Sequence, residues 1–247
     1  MKSQQPSQRA LVDLLVHHGI IHSPVVIDAM AALDRALFLP PYCRYQAYND
    51  HPVPIAADAT LSAPHMHGMC LELIADILAR SQAGDHDTSL HILDIGSGSG
   101  YLTAALYLVA KYTSSEPPMV VGIECEPVLV QQSRKILRQI FPQETADHSL
   151  AIHQGDGWDG FAAKAPYDAI HVGAAAPHIP EALQQQLKTG GRLVIPLGHE
   201  GGAQELTVVD ALGHGEWSEK RVAAVQYVPL RAIPPRKSDC KAPPSQQ

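Results

Sequence analysis

The chain has 247 residues and a formal charge of −7, with 18 Lys plus Arg against 25 Asp plus Glu, and it is 45% hydrophobic and 17% charged. That composition excludes collagen, coiled coil and wholesale disorder, and a chain of this length buries roughly 75% of its unfolded surface without staples. The acidic balance argues against a general polyanion binder, because phosphate backbones call for clustered Lys and Arg.

The first third reads as helical. Leu11, Leu14, Leu15 and His18 recur at helical spacing, and Ser23-Pro24 has the form of an N-cap followed by a first helical residue, opening a helix over 25–33. Residues 40–59 are rich in Pro, Tyr and Asp and read as irregular. After Pro64, the residues Met66, Met69, Cys70, Leu73, Ile74, Ile77 and Leu78 form an apolar helical stripe. Residues 81–89 (SQAGDHDTS) read as a polar surface connection.

From Leu90 the pattern changes to short β-branched runs alternating with helical segments. Strands are expected at 91–95, 119–124, 150–153, 168–172 and 192–197, with helices at 101–112, 127–139 and 180–187. Such alternation implies a mostly parallel sheet covered on both faces, hence an α/β fold. Two last β-like runs, 205–210 and 222–228, are joined by 213–219 with no helix between them, so an antiparallel hairpin closes the sheet. The Pro-rich tail after Ile233 reads as disordered. The chain thus divides into an N-terminal helical segment (1–80), a core (81–233) and a tail (234–247).

Cys43, Cys70, Cys125 and Cys240 show no CxxC pairing, so neither a zinc module nor a disulfide scaffold is indicated, and the thiols are read as reduced in a cytoplasmic protein. No signal-peptide core follows the N-terminus, and no run approaches the ~18 apolar residues of a membrane span. His65 and His67 lack a third partner in the sequence and make a poor metal pair, so no metal is expected. Trp158 and Trp217 are read as packing residues.

Most of the chemistry sits in Asp94-Ile95-Gly96-Ser97-Gly98-Ser99-Gly100, between a strand and a helix. Alternate glycines let the backbone approach a ligand, and the helix start supplies free N–H groups. The dinucleotide pattern GxGxxG is broken, because Tyr101 stands where its third glycine belongs. Asp94 beside the turn would repel a pyrophosphate and favour an ammonium group. These features fit S-adenosylmethionine, whereas a tight turn that merely needs glycine is the plainer alternative. The next two strand ends favour the ligand. Glu124 ends the second strand, where a carboxylate can accept from both ribose hydroxyls, with Glu126 as its competitor. Gln154-Gly155-Asp156-Gly157 follows the third, with Asp156 placed to accept from an adenine amino group and Gly157 leaving room for the ring.

Two further segments decide among methyltransferases: Ala59-Thr60-Leu61-Ser62-Ala63-Pro64-His65-Met66-His67, and Ala165-Pro166-Tyr167-Asp168-Ala169-Ile170-His171-Val172-Gly173-Ala174-Ala175-Ala176-Pro177. Both closely resemble the protein-L-isoaspartate (D-aspartate) O-methyltransferases in their eukaryotic form, and the similarity runs from about Gly19 to Leu230. The resemblance implies a class I methyltransferase fold, Rossmann-like, with an added N-terminal helical segment. It implies methyl transfer from S-adenosyl-L-methionine, leaving S-adenosyl-L-homocysteine, to the α-carboxyl of L-isoaspartyl residues and more weakly to the side chain of D-aspartyl residues. Damaged proteins and peptides would be the partners of a monomer, with no role for nucleic acid or membrane.

By the same resemblance, Ser62 is the active-site residue, and Ala59, Thr60, Leu61, Ser62, His67, Asp94, Ile95, Gly96, Ser97, Gly98, Glu124, Asp156 and Gly157 line the cofactor site. Gln226, Tyr227 and Val228 are expected to form a strand that holds the substrate backbone. The chain departs from the family where Asp is common (Glu124), where Ala is usual (Gly68), where a small polar residue is frequent (Arg231), and in the longer 81–89 connection.

A carboxylate is ionised at pH 7 and needs no general base, so catalysis reduces to alignment and exclusion of water. Ser62 suits that task as a neutral donor that orients the carboxylate without over-stabilising its ground state. It also reads as an ordinary helix N-cap before Ala63-Pro64. Two other activities compete: a carboxyl methyltransferase for small molecules, and a silent cofactor-binding protein. A nucleotide methyltransferase lacks its Asn/Asp-Pro-Pro-aromatic motif.

Overall fold

The computed structural model describes residues 7–84 and 89–233. The tail at 234–247 and the centre of the 81–89 connection lie outside the described residues.

Helices α1 (Gln8–His17) and α2 (Pro24–Ala32) open the chain; the Ser7 hydroxyl caps α1 by accepting from the Ala10 N–H at 3.2 Å. The segment expected to be irregular holds two 3-10 turns, Arg35–Phe38 and Pro41–Gln46, and a small antiparallel pair, β1 (Val53–Pro54) with β2 (Thr60–Leu61). Elements this short carry too few residues for a periodic signal. Helix α3 (Pro64–Gly84) passes through residue 80 without a break.

A strand-helix alternation follows: β3 (His91–Ile95), α4 (Tyr101–Thr113), β4 (Met119–Glu124), α5 (Pro127–Ile140), α6 (Pro142–Ala146) and β5 (Leu150–Gln154). Then come β6 (Tyr167–Val172), α7 (Glu181–Gln185), β7 (Leu187–Gly198), β8 (Gln204–Gly213) and β9 (Glu216–Val225). The sheet order is β5-β4-β3-β6-β7-β8-β9, parallel from β5 to β7 and antiparallel across β8 and β9. The expected class, mostly parallel with a C-terminal antiparallel hairpin, is the one observed.

The central strands β3, β4 and β6 are buried on both faces and, with β7, divide their apolar residues by alternation. Ile92, Val120, Ala169 and Val194 face the cluster shared with α1 to α5, whereas Leu93, Val121, Ile170 and Leu193 face a second cluster holding Leu183 of α7 and Trp158. Helix α4 is buried continuously from Tyr101 to Ala110 because it lies between the sheet and the N-terminal helices. Arg192 ties three elements together. Its Nε and Nη2 donate to the two Asp210 oxygens at 2.6 and 2.9 Å, and its Nη1 donates to the Leu73 carbonyl at 2.9 Å and to Asp76 at 3.0 Å.

The last strand differs from expectation. It begins at Glu216, because His214 and Gly215 both take positive φ (53° and 78°) and make a tight two-residue turn. It ends at Val225, so Gln226, Tyr227 and Val228 do not extend it. There the Gln204 side chain takes over from the ladder: its Oε1 accepts from the Tyr227 N–H at 2.6 Å and its Nε2 donates to the Tyr227 carbonyl at 3.2 Å. Pro229 then has no N–H to donate. The segment instead crosses to Ala175, whose N–H donates to the Val228 carbonyl and whose carbonyl accepts from Leu230, each at 2.8 Å.

Candidate active site

In this sheet β4 and β6 flank β3, so the chain leaves β3 to opposite sides and a crevice opens at the carboxyl ends of the strands. The turn after β3 forms its floor. Gly96 and Gly98 adopt φ of +71° and +53°, a region that costs a residue with a Cβ. That conformation lets the Gly96 and Ser97 N–H groups donate to the Ile123 carbonyl at 2.8 and 3.0 Å. The Gly98 N–H donates to Glu124 Oε2 at 2.8 Å.

Glu124 is 6% exposed. Its other oxygen accepts from the Glu126 N–H at 2.9 Å and from the Cys125 thiol at 3.4 Å. Burial and the Glu124 charge push the Cys125 thiol up to about 11, so it is not a thiolate at neutral pH. The carboxylate of Glu124 therefore organises both the glycine turn and the loop after β4, while Glu126 lies farther out, 3.6 Å from Arg231 Nη1.

Two adjoining hollows occupy the crevice, with about 650 and 420 Å³ of space including their open mouths. Both are bounded by Thr60, Gly96, Gly98 and Gly173. The larger continues along Ala59, Glu124, Glu126, Gly157, Val228 and Arg231, and the smaller along Leu61, Ser62, His67, Asp94, Ser97 and Tyr227. Ala57 and Asp58 also wall the larger hollow, in left-handed backbone (φ 58° and 56°) that is uncommon for residues with a Cβ and concentrates at functional sites.

Three expected residues do not line either hollow. The Ile95 side chain is buried in the core. Asp156 is committed to the backbone: its oxygens accept from the Trp158 N–H at 2.9 Å and the Ile233 N–H at 2.7 Å. With Trp158 Nε1 donating to the Leu230 carbonyl at 3.3 Å, it holds the 227–233 segment over the larger hollow. Gln226 is exposed. Gly157 does face the hollow, and a Cβ there would stand 2.6 Å from Ile95 and 3.0 Å from Leu230.

The smaller hollow is polar. Asp94 is 1% exposed; its Oδ2 accepts from Thr103 Oγ1 at 2.6 Å, and its Oδ1 lies 2.8 Å from His171 Nδ1. The β3–β6 register places Asp94 beside His171. Burial pulls His171 down, but the hydrogen bonds and charges of Asp94 and Cys70 outweigh it and raise the ring to about 10. Sequence reasoning missed His171 as a site residue, although it lies inside the 165–177 segment. Ser97 and Ser99 present buried hydroxyls that have no partner among the described residues.

Ser62 lies in the link between β2 and α3, and its carbonyl accepts from Arg35 Nη2 at 2.8 Å. The N-cap position belongs to Ala63, whose carbonyl accepts from Met66 and His67 at 3.0 and 3.2 Å. No hydrogen bond among the described residues engages the Ser62 hydroxyl, which leaves it available to the hollow it lines. His67 Nδ1 lies 3.3 Å from Arg35 Nη1, and His65 pairs with Asp50 at 2.9 Å, so the two histidines face different partners.

This donor set suits a cationic nucleoside better than a phosphate ester. The larger hollow carries Asp58, Glu124 and Glu126 against one guanidinium, which is itself turned to Glu126. The unpartnered Ser97 and Ser99 hydroxyls and the space kept clear at Gly157 belong to the same crevice.

Comparison with known proteins agrees with this geometry. The profile of the protein-L-isoaspartate(D-aspartate) O-methyltransferase (PCMT) family matches residues 6–233. A protein-L-isoaspartate O-methyltransferase of Triticum aestivum is 45% identical over 222 residues, covering 90% of each chain. A Caenorhabditis elegans protein of the same name is 38% identical over 229 residues, covering 93% of this chain and 94% of its own. Among solved structures, a Plasmodium falciparum protein-L-isoaspartate O-methyltransferase in complex with S-adenosyl-L-homocysteine superposes with a TM-score of 0.78 at 28% identity. That superposition covers 91% of this chain and 98% of the other.

Proposed function

Because the chain belongs to the protein-L-isoaspartate(D-aspartate) O-methyltransferase family, we propose that its paired hollows perform one reaction: transfer of a methyl group from S-adenosyl-L-methionine to the α-carboxylate of an L-isoaspartyl residue. D-aspartyl side chains are the weaker substrates. The observation that carries this reading is the adjacency of the two hollows, one rimmed by carboxylates and the other offering the free hydroxyl of Ser62.

The residues divide the work. When the cofactor is bound, Glu124 would hold its ribose and Gly157 would leave space for its adenine, while Ala59, Thr60, Leu61 and the Ile95-Gly96-Ser97-Gly98 backbone would enclose the remainder. Asp156 shapes that wall through the loop it pins. Asp94 would accept from the ammonium end: its oxygens are engaged by Thr103 and by the His171 imidazolium that offsets its charge, but each keeps a lone pair for a further donor. The cofactor, when bound, supplies a methyl group on a sulfonium that is already an activated leaving group. The isoaspartyl carboxylate arrives ionised, so no side chain has to remove a proton. Ser62 donates to one carboxylate oxygen and leaves the other free to attack, and the 227–233 segment excludes water. In the 226–228 segment the Tyr227 N–H and carbonyl are taken by Gln204, so the backbone groups of Gln226 and the Val228 N–H hold the peptide beside the isoaspartyl residue.

The methyl ester so formed is a better electrophile than a carboxylate. The following backbone nitrogen displaces methanol and closes a succinimide, which water reopens to aspartyl or isoaspartyl products. Damaged proteins and peptides are thus the partners, and the reading includes a monomer in the cytoplasm that works on neither nucleic acid nor membrane. No helix among the described residues is long and apolar enough to cross a membrane.

The competing activity is methylation of small free acids. An isoaspartyl hexapeptide and free succinate, each offered with labelled cofactor, separate the two. The expected result is label in the peptide and none in succinate; label in succinate with the peptide ignored would overturn the reading.

A further inference from the structure

Arg35 is a charge that the reaction as described does not use. It comes from the first 3-10 turn, it is 0% exposed, and it forms no ion pair with a carboxylate among the described residues. Its Nε has no partner among the described residues, and its guanidinium lies 5.7 Å from the centre of the Tyr101 ring. A buried cation costs stability unless something compensates for it. The two bonds it does make both lead to the smaller hollow: to the Ser62 carbonyl at 2.8 Å and to His67 Nδ1 at 3.3 Å.

A guanidinium has only donors, so the His67 nitrogen facing it must accept. His67 Nδ1 therefore carries no proton, and in the neutral ring the proton sits on Nε2. The ring makes no other hydrogen bond among the described residues and lines the smaller hollow, which leaves Nε2–H turned to that space.

We propose that Arg35 is a positioning residue for methyl transfer: by holding the Ser62 carbonyl and His67 Nδ1 together, it locks His67 as a neutral Nε2–H donor beside the Ser62 hydroxyl, where the acceptor carboxylate is received. The proposal rests on the methyltransferase reading and adds a residue and a protonation state to it. The arrangement places a cation behind two neutral donors. The carboxylate feels a positive field without forming a direct ion pair that would hold it in the ground state.

The surroundings agree. Burial first, then the Arg35 charge, then His171 and His65, hold His67 well below the usual histidine range. Burial lowers Arg35 only to about 10, opposed by Tyr101 and Asp50, so it stays charged at neutral pH. Around His67 stand Arg35 from the 3-10 turn, Tyr101 from α4 with ring centres 5.0 Å apart, His171 from β6 bonded to Asp94, and His65 on α3 itself bonded to Asp50.

Nitrogen NMR of the His67 ring, together with the pH profile of kcat, tests this in full-length protein carrying Arg35→Gln. The wild-type ring is expected to remain a single neutral Nε2–H tautomer through the usual histidine range, with a flat kcat profile there. In the variant both neutral tautomers should be populated, and the ring's titration should move up toward the usual histidine range while burial still holds it below, with kcat falling on the acid side as the ring protonates. The kcat/KM for an isoaspartyl peptide should fall about tenfold or more, the size expected for losing a hydrogen bond from a charged donor. In a His67→Ala background the same Arg35 change should have little further effect, because its route is gone.

A single Nε2–H tautomer in the variant, or an undiminished Arg35 effect without His67, would overturn the proposal. If Arg35→Gln fails to fold, Arg35→Met, which removes both the charge and the donors at similar length, serves with the same signs. The NMR arm needs no methyl acceptor, so it separates failure of this proposal from failure of the substrate assignment.

Discussion

Ser62→Ala is expected to lower kcat on an isoaspartyl peptide by about 10- to 100-fold, the scale of a lost hydrogen bond worth roughly 1–3 kcal/mol in a dry site. Affinity for S-adenosylhomocysteine should stay within about threefold, and stability within about 0.5 kcal/mol. The asymmetry follows from how the residue is held. Its carbonyl is fixed by Arg35, and its hydroxyl bonds to nothing among the described residues. The helix start that the hydroxyl would otherwise cap has Ala63 at its N-cap position, and its first N–H, at His65, donates to Asp50 Oδ1 at 2.9 Å. Removing the hydroxyl thus removes no contact of the fold, only the donor offered to the acceptor. Parallel loss of turnover and cofactor affinity, measured by steady-state kinetics and calorimetry, would make Ser62 a cofactor-site residue instead; a large loss of stability would make it a structural one.

The second large effect concerns the two acids after β4. Glu124→Ala should weaken S-adenosylhomocysteine binding by about 100-fold or more. Its carboxylate accepts from the Gly98 and Glu126 N–H groups at 2.8 and 2.9 Å while facing the larger hollow. Each bond to a charged acceptor contributes about 1.5–3 kcal/mol, so the glycine turn and the next loop loosen together when it is lost. Glu126→Ala should cost less than about fivefold, because its pairing with Arg231 at 3.6 Å is partly exposed and such pairs contribute about 0–1 kcal/mol. Calorimetric titration of both variants decides between them. A larger loss at Glu126 would transfer the ribose contact to that residue.

The α/β alternation was legible because buried parallel strands read as apolar runs and their helices begin at Gly, Pro or Tyr. The glycine turn and Ser62 were legible as motifs. Other parts were not, for physical reasons. Strand β9 is an edge strand built of Glu216, Ser218, Glu219, Lys220 and Arg221, so the alternation that marks a half-buried strand is missing. Arg35 and His171 look like surface residues in one dimension. Arg35 is buried by partners at Ser62 and His67, and His171 by Asp94, 77 residues away. The sequence favours Glu124 over Glu126 because Glu124 ends the apolar run, and the buried bond from Gly98 supports that preference. Asp156, a carboxylate beside two glycines, reads as a ligand contact, and the fold adds a second task that the sequence does not show: its oxygens accept from the Trp158 and Ile233 N–H groups.

The most direct test uses twin peptides that differ only at one linkage, isoaspartyl in one and aspartyl in the other, incubated with enzyme and S-adenosylmethionine and sequenced by mass spectrometry. The account predicts one added methyl group, located on the isoaspartyl α-carboxyl, with the aspartyl twin unchanged. Equal methylation of both peptides, or a methyl group at any other carboxylate, would contradict it.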